Sequence, residues 1–558
     1  MDFFRYDSMR QRNTKVFLTS ALLLTTTTTT SAFDCTPPGF EAHLPSNARI
    51  AYTRDLPSNS TFHVPTGDIA YPTSPQGLPA LCAVQVNVTS SPSSAFSFGL
   101  FLPQDWNDRF LAVGNGGFAG GINWLDMAAG VQYGFASMST DTGHNSTSGD
   151  ISWAYHEPEK QTDFGYRAMH ESVVLAKRLA KAYYDCEMKY SYYSGCSTGG
   201  RQGLKEVQMF PEDFDGLLAG APAWWTSHLQ LWTIKAGLYN LPTTAEHHIP
   251  PSLFPAVEKE VLRQCDAQDG LKDGIISDPA RCDFFAEALL CGPDIKNGTK
   301  AGCLTPAQIS TLYNIQNNYV DANQTFVFPH LELGSESQWD VLLGLPEPSP
   351  LGYEYPQYML GFGANWSFYD FNYSVVQDAD RLDPGNCNAD DFDLSPFAKK
   401  GGKLLTYQGY ADGLIPSGSS IVFYKEVLKT LKPKGVKVDP FFRHFMVPGM
   451  QHCTGTPPDV NAPWYFAGAN QAGTLTPPGS VHSVPGFQDP QHDALLAVMQ
   501  WTEHGIAPDS IVATKWRNDT LYDEVWKQRK ICPYPKQARY KGSGDTDLSE
   551  NWSCEPLY

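Results

Sequence analysis

The chain of 558 residues lacks a hydrophobic run long enough to cross a bilayer. A spanning helix needs about 20 apolar residues, whereas the first apolar stretch covers only residues 16–24. Basic residues are also in the minority: 40 Lys and Arg stand against 59 Asp and Glu, for a formal net charge of −19. An acidic chain without basic clusters does not suit nucleic acid or an anionic membrane surface. We therefore expect neither as a partner.

No Cys-x-x-Cys pair occurs among the twelve cysteines, which disfavours a zinc site. Residues 1–32 have the form of a signal peptide, because basic residues precede the apolar stretch and Thr30-Ser31-Ala32 resembles a cleavage site. The protein is then expected to be secreted, and an even cysteine count predicts disulfides. Nine Asn-x-Ser/Thr sequons fit a secreted glycoprotein, at Asn59, Asn87, Asn145, Asn297, Asn323, Asn365, Asn372, Asn518 and Asn551.

A Gly-x-Ser-x-Gly motif spans residues 195–199, with Ser197 at its centre. An aromatic, strand-like run precedes it at 190–194 and a helix-like segment follows at 201–209. This strand–turn–helix context is what a nucleophile elbow requires, and the flanking glycines leave room where the strand and the helix crowd together. The motif predicts Ser197 as a catalytic nucleophile. The alternative is a glycine-rich turn with an idle serine.

Alternating strand and helix patterns surround the motif. Strand patterns lie at 96–102, 109–113, 131–139 and 214–219, and a helical pattern lies at 164–184. The alternation predicts an α/β fold with a mainly parallel sheet, and it resumes with strands at 403–407 and 441–447. Between these parts, residues 224–392 are rich in Pro, Tyr and Trp and lack the alternation. We predict a catalytic domain formed by 33–223 and 393–558, with 224–392 inserted as a lid over the carboxyl edge of the sheet.

A serine nucleophile needs a base, and the base needs an acid that orients it. In the α/β-hydrolase order the acid comes first, then the histidine, each just past a strand. Asp412 follows the strand pattern at 403–407, and His452 follows the one at 441–447. We therefore predict a triad of Ser197, His452 and Asp412.

A glycine-rich loop at 114–121 follows the strand pattern at 109–113. No Gly-Lys-Ser/Thr follows it, so it does not match a phosphate-binding loop. In an esterase such a loop supplies an oxyanion-hole amide, which complements the amide just after the nucleophile. The predicted donors are Thr198 and either Gly116 or Gly117, and the alternative is a plain loop.

Two cysteines adjoin the predicted triad: Cys196 precedes Ser197, and Cys453 follows His452. If the serine and the histidine are hydrogen-bonded, these cysteines could lie within the roughly 4.4–6.8 Å Cα separation of a disulfide. The bridge would fix the histidine loop to the elbow, although each cysteine could pair elsewhere. Two further bridges are expected near the ends of the chain, Cys35–Cys82 and Cys532–Cys554.

The run from Gly195 to Gly203, the distant Asp412 and the pair His452-Cys453 resemble the tannase and feruloyl esterase family. The likeness extends to 114–117, 163–168 and 401–405, and the elbow and the tail at 531–535 look most similar to fungal feruloyl esterases of type B. The resemblance implies an α/β-hydrolase core with a lid. It also implies a secreted serine carboxylesterase that releases ferulic-type acids from plant cell-wall polysaccharides without an organic cofactor.

A structural Ca²⁺ is implied as well, in the segment 265–275 of the lid. Carboxylates at short intervals and main-chain carbonyls suit a hard cation, although the spacing is not that of an EF-hand. From spacing alone, an Asp/Gly turn without metal is the alternative. The resemblance supplies the ligands: the side chains of Asp266, Asp269 and Asp273, and the carbonyls of Leu271 and Ile275. Bridges Cys265–Cys282 and Cys291–Cys303 would close this loop and the next, which leaves Cys186 and Cys387 free to pair.

Lid aromatics are the candidates for stacking on a phenolic ring: Trp224, Trp225, Trp232, Tyr353, Tyr355, Tyr358 and Trp366. Each could instead belong to the core. Two other functions stay open. A tannase acting on galloyl esters would use the same machinery with a different pocket. A non-catalytic binding protein on a hydrolase fold is a different class, and the intact triad argues against it.

Overall fold

The computed structural model describes residues 32–293, 302–471, 484–522 and 524–556. The predicted signal peptide, apart from Ala32, lies outside the described residues, as does the sequon at Asn297. None of the described helices has the length and apolar character that crossing a membrane requires.

Fifteen strands occur in the described part of the chain. In chain order they are β1 (Ala48–Leu56), β2 (Leu81–Ser91), β3 (Ser94–Pro103), β4 (Arg109–Val113), β5 (Ala136–Thr140), β6 (Tyr190–Cys196), β7 (Gly216–Gly220), β8 (Tyr319–Val320), β9 (Phe326–Phe328), β10 (Lys403–Gly409), β11 (Phe442–Val447), β12 (Ile511–Trp516), β13 (Val525–Ile531), β14 (Lys536–Tyr540) and β15 (Trp552–Pro556).

The same described residues also form α-helices of four to 17 residues. They are α1 (Pro37–Glu41), α2 (Trp124–Gln132), α3 (Pro158–Thr162), α4 (Ala168–Tyr184), α5 (Thr198–Met209), α6 (Thr226–Tyr239), α7 (Phe254–Cys265), α8 (Pro306–Ile315), α9 (Asp340–Leu343), α10 (Pro350–Glu354), α11 (Tyr373–Leu382), α12 (Ser395–Lys400), α13 (Gly418–Leu431) and α14 (Ala494–His504).

Nine strands form the central sheet, in the order β1-β2-β3-β5-β4-β6-β7-β10-β11. The six strands from β5 to β11 are parallel to one another, and β1, β2 and β3 add an antiparallel edge. The predicted α/β fold with a mainly parallel sheet is thereby confirmed. It is the architecture of the α/β-hydrolases, in which helices cover both faces.

Both faces of the sheet are covered by apolar side chains. Helices α4, α5 and α13 contribute to the core on one face, and α2 and α14 contribute to the core on the other. Neighbouring residues of one strand point to opposite faces, so Leu404 of β10 belongs to the first core and Leu405 to the second. Strand β7 is buried along its whole length, as expected for a central parallel strand.

The inserted segment is mostly helical and has a hydrophobic core of its own. That core also takes in Phe118, Ile151 and Phe164 of the catalytic part, so the lid is packed against the loops at the carboxyl edge of the sheet. Trp224 packs into the catalytic core instead. The limits of the lid, 224 and 392, stay a prediction.

One predicted strand is wrong in extent. The pattern at 131–139 predicts strand throughout, whereas α2 continues to Gln132 and β5 begins only at Ala136. Gly134 has a φ of +87°, a left-handed conformation that ends the helix and turns the chain into the strand. The helical pattern at 164–184 also begins differently, with a π-helical turn at Asp163–Arg167 before α4.

All five expected disulfides form: Cys35–Cys82, Cys196–Cys453, Cys265–Cys282, Cys291–Cys303 and Cys532–Cys554. The two remaining cysteines do not pair with each other. Cys186 is an exposed free thiol and Cys387 is a buried one.

Gly165 lies where the backbone of the catalytic part meets the backbone of the lid. A Cβ atom at this position would lie 1.9 Å from the carbonyl oxygen of Gly385. We expect Gly165→Ala to lower the free energy of unfolding by about 3 kcal/mol, because backbone must move to relieve the clash. Gly149→Ala is the matched control, since no atom lies within 4 Å of its Cβ position. An unchanged melting temperature for Gly165→Ala in thermal unfolding would contradict this contact.

Candidate active site

Ser197 occupies a sharp turn between the end of β6 and the start of α5. Its φ of +63° and ψ of −122° are rare for a residue with a side chain and cost of order 1–3 kcal/mol. The turn is held because the Ser197 N–H donates to the Gly220 carbonyl at 3.0 Å, and the Ser197 carbonyl accepts the N–H of Ala223 at 3.1 Å. This geometry presents the serine side chain at the tip of the turn, as in a nucleophile elbow.

Glycines at positions 195 and 200 allow the strand and the helix of the elbow to pack closely against each other. A Cβ atom on Gly195 would lie 2.8 Å from the carbonyl carbon of Gly199, and one on Gly200 would lie 2.4 Å from the oxygen of Gly220. These distances are too short for a side chain. The strand, the turn and the helix can therefore approach one another only with glycine at these positions.

Asp412 and His452 form a hydrogen-bonded pair beyond the ends of β10 and β11. His452 Nδ1 lies 2.8 Å from Asp412 Oδ2, and the aspartate side chain is fully buried while the histidine side chain keeps 16% exposure. An Nδ1–H donated to the carboxylate leaves Nε2 as the basic nitrogen at the other end of the ring. The structure thus joins the predicted acid and base.

Further donors hold the Asp412 carboxylate in place. Oδ1 accepts the N–H groups of Leu414 at 3.0 Å and Ile415 at 2.9 Å, and Oδ2 accepts Gln408 Nε2 at 3.1 Å. These bonds replace the water that a buried carboxylate has lost. They also fix the direction in which it faces the imidazole.

The Cys196–Cys453 disulfide connects the elbow to the histidine loop, with a Cα–Cα distance of 6.1 Å. It therefore brings the residues next to Ser197 and His452 together across 257 positions of sequence. Cys453 also has a φ of +61°, so the histidine loop bends sharply at the bridge. No hydrogen bond joins Ser197 Oγ to His452 in the described residues, and such bonds often shorten only when substrate binds.

The glycine-rich loop lies directly on the elbow helix. Gln202 of α5 accepts the Asn115 N–H at 3.0 Å and donates to Asn115 Oδ1 at 3.1 Å. A Cβ atom on Gly114 would lie 2.5 Å from the Cα of Gly199. The loop thus forms a wall beside the nucleophile turn, where a hydrolase places its oxyanion donors.

The three predicted oxyanion amides differ in their partners. Within the described chain, the N–H groups of Thr198 and Gly117 have no acceptor, whereas the Gly116 N–H donates to the Tyr71 hydroxyl at 2.9 Å. Burial raises the pKa of Tyr71, so the phenol is protonated. The elbow therefore offers one free amide, at Thr198, and the glycine-rich loop offers a free amide at Gly117 and one bonded to a hydroxyl at Gly116.

The predicted metal loop carries three carboxylates, each with a protein partner. Asp266 Oδ1 accepts the Gly274 N–H at 3.0 Å, Asp269 Oδ2 accepts the Ser277 hydroxyl, and Asp273 pairs with Arg529 at 2.7 Å. Burial, followed by the charge of Asp273, raises the pKa of Asp266. Among the described residues, Arg529 is thus the one cation that forms an ion pair with any of these three carboxylates.

The two carbonyls predicted as metal ligands are free to bind a cation. In the described chain, the carbonyls of Leu271 and Ile275 accept no hydrogen bond. The described loop does not, however, gather three carboxylate oxygens within 4.8 Å of one another. Its donor types and excess negative charge fit a hard cation.

The lid aromatics divide into two groups by exposure. Trp224, Trp232 and Tyr355 are almost fully buried and pack in cores, so they cannot stack on a substrate. The remaining four keep partial exposure, namely Trp225, Tyr353, Tyr358 and Trp366.

A family model described as tannase and feruloyl esterase matches residues 82–328 and 379–555. The chain belongs to this family. Among curated relatives, "Probable feruloyl esterase B-2" of Aspergillus oryzae is 35% identical over 93% of this chain and 95% of its own length. A second relative, "Probable feruloyl esterase B" of Aspergillus clavatus, is also 35% identical, over 91% of this chain and 93% of its own length.

Solved structures share the fold of this chain. The crystal structure of feruloyl esterase B from Aspergillus oryzae superposes with a TM-score of 0.83 at 34% identity, covering 92% of this chain and 98% of that one. Tannin acyl hydrolase from Aspergillus niger gives 0.72 at 21% identity, covering 93% and 95%, which shows the shared fold alone. The protein is a carboxylic ester hydrolase.

Two residues that contact this site carry no sequence signal. Tyr71 reaches Gly116 from a loop 45 residues away, and Gln338 reaches the histidine loop from the lid. Neither lies in a recognisable motif, because both contacts depend on how distant segments pack.

The Cys196–Cys453 bridge can be removed with the double variant Cys196→Ala/Cys453→Ala. We expect kcat/KM for an ester to fall by about 10- to 100-fold, because a displacement of about 1 Å in a catalytic group costs this much. The control is Cys532→Ala/Cys554→Ala, which removes a bridge in the tail. Equal kcat/KM for the two double variants would show that the bridge does not position the histidine.

Proposed function

We propose that the protein is a secreted serine esterase that hydrolyses esters of ferulic-type hydroxycinnamic acids, such as those attached to plant cell-wall polysaccharides. The observation that carries this proposal is the Asp412–His452 pair, fastened beside Ser197 by the disulfide. The names of the relatives supply the substrate class.

In the proposed reaction, Ser197 Oγ attacks the ester carbonyl while His452 Nε2 takes its proton. The imidazolium then protonates the departing alcohol. Asp412 holds the ring in the tautomer that leaves Nε2 free, and its negative charge stabilises the imidazolium. Water repeats the sequence on the acyl-enzyme and releases the phenolic acid.

The negative charge that develops on the carbonyl oxygen needs donors that are already in place. The amide of Thr198, at the start of α5, supports this role because the first amides of a helix have no partner within it. Gly116 or Gly117 of the glycine-rich wall would supply the second amide. The phenolic ring would lie against the half-buried lid aromatics, where stacking is available.

Secretion is supported by the five disulfides, since such bonds persist in oxidising compartments. Glycosylation is supported by exposure of the sequons in the described chain. Six asparagines are exposed: Asn59, Asn145, Asn323, Asn365, Asn372 and Asn518.

A panel of methyl ferulate, methyl caffeate and methyl gallate tests the activity and the acyl preference together. We expect the highest kcat/KM on methyl ferulate or methyl caffeate, and a loss of at least about 10³-fold in Ser197→Ala, because the nucleophile is gone. A clear preference for methyl gallate would favour the tannase alternative. Full activity of Ser197→Ala would overturn the triad, and no activity of the wild type on any ester would favour a binding protein.

We also propose that the loop at 265–275 holds a structural Ca²⁺ with Asp266, Asp269 and Asp273 and the carbonyls of Leu271 and Ile275. The ion would balance the negative charges that Arg529 leaves unpaired, and it would stabilise the lid.

Chelation tests the proposed metal. We expect EGTA to lower the melting temperature by several degrees and added Ca²⁺, but not Mg²⁺, to restore it, because a ligand that binds only the folded state stabilises it. Elemental analysis of the purified protein should find about one Ca²⁺ per chain. Asp269→Asn should remove both effects. An unmoved melting temperature with no calcium in the protein would contradict the site.

A further inference from the structure

A short helical turn of the lid, Glu336–Gln338, lies against both loops that carry the acid and the base. The side-chain oxygen of Gln338, Oε1, accepts the backbone N–H of Gly413 at 3.0 Å. The same oxygen accepts the backbone N–H of His452 at 3.1 Å. One atom of the lid therefore connects the two loops of the catalytic domain.

The two amides lie next to the hydrogen-bonded side chains of Asp412 and His452. Gly413 directly follows Asp412, and the second amide belongs to His452 itself. Both bonds are made to backbone groups, so they fix the course of the two loops as well as one side chain. The acid and the base are 40 residues apart in sequence. Besides their own 2.8 Å bond, the Ala411 N–H donates to the Met450 carbonyl at 2.9 Å, and the shared Gln338 acceptor adds a connection from the lid.

The turn Glu336–Gln338 is anchored in the hydrophobic core of the lid by the residue that follows it. Trp339, the next residue, is fully buried, and its Nε1–H donates to Ser335 Oγ at 3.0 Å. Ser335 Oγ in turn donates to the Glu332 carbonyl at 2.6 Å. Gln338 thus belongs to a turn that hydrogen bonds and a buried tryptophan hold in place.

A second contact lies beside the first. Gln451 Nε2 donates to Ser337 Oγ at 2.8 Å, which ties the residue before His452 to the same turn. The approach at Gly413 is close as well, because a Cβ atom there would lie 2.5 Å from the Cβ of Gln338. The turn and the two loops therefore fit together with no room for a larger residue at position 413.

We propose that Gln338 is a positioning residue of the esterase, which sets the relation of the Asp412 carboxylate to the His452 imidazole and so couples the seating of the lid to catalysis. This inference rests on the proposed function. Its physical basis is that a catalytic group displaced by about 1 Å loses about 10²-fold in rate.

The test compares two substitutions at position 338 by kcat and KM on methyl ferulate. Gln338→Met keeps the length of the side chain and removes the acceptor, and we expect kcat to fall about 10- to 100-fold with KM changed by less than about twofold. Gln338→Glu keeps an oxygen that can accept both N–H groups, so we expect kcat to stay within about fivefold of wild type.

The control is Gln308→Met, also in the lid. Gln308 caps α8 and bonds only to lid groups, the backbone and hydroxyl of Thr305 and the carbonyl of His248. We expect this variant to lower the melting temperature while leaving kcat unchanged. If Gln338→Met folds poorly, Gln338→Asn replaces it in the test. We expect the same fall in kcat, because the asparagine side chain is one methylene too short to reach both amides.

Three results would overturn the inference. Unchanged kcat in Gln338→Met would show that the shared acceptor does not position the pair. A rise in KM alone would indicate substrate contact. Equal loss of kcat in the Met and Glu variants would show that accepting the two N–H groups is not what matters. Ser197→Ala is measured alongside: if it kept wild-type activity, the proposed function itself would fail, and this inference with it.

Discussion

The disulfide between Cys196 and Cys453, which are 257 residues apart in sequence, links the elbow to the histidine loop. The rest of the site depends on this covalent link. One half of the bridge is fixed by the elbow, where β6 runs into α5 through a strained serine. The other half carries His452, whose partner Asp412 is held by its own set of backbone donors. The loops of Ser197 and His452, which come from different parts of the sheet, are thus kept as neighbours by a covalent bond, which salt does not screen as it screens an ion pair.

The lid is part of this arrangement and not only a cover. Its core extends to Phe118 in the glycine-rich loop and to Phe164 in the π-helical turn before α4, and Gln338 reaches the loops of Asp412 and His452. Strain in the elbow is tolerable because backbone hydrogen bonds to Gly220 and Ala223 hold the turn in place. At Gly165 and Gly413 the catalytic domain approaches the lid too closely for a side chain. These contacts restrict how the lid can pack on the catalytic domain.

Local patterns predict the parallel part of the sheet, the elbow and the order in which Asp412 and His452 follow it, because each lies just past a strand with a clear apolar pattern. The antiparallel edge strands β1 and β2 were not predicted. Chain order cannot reveal contacts that come from distant segments. Gln338 lies 114 residues before His452, and nothing near it indicates the hydrogen bond. The strand expected at 131–139 was wrong in its first half, since an apolar run around Gly134 fits a helix end as well as a strand. Lid aromatics could not be sorted into core and surface before the packing was known.

Covalent labelling tests the central claim most directly. The protein is treated with diethyl p-nitrophenyl phosphate, which phosphorylates an activated serine, and the labelled peptide is identified by mass spectrometry. We predict a single adduct, on Ser197, that forms with loss of esterase activity and does not form at a comparable rate in His452→Ala. An adduct on another serine, or full loss of activity with Ser197 unmodified, would contradict it.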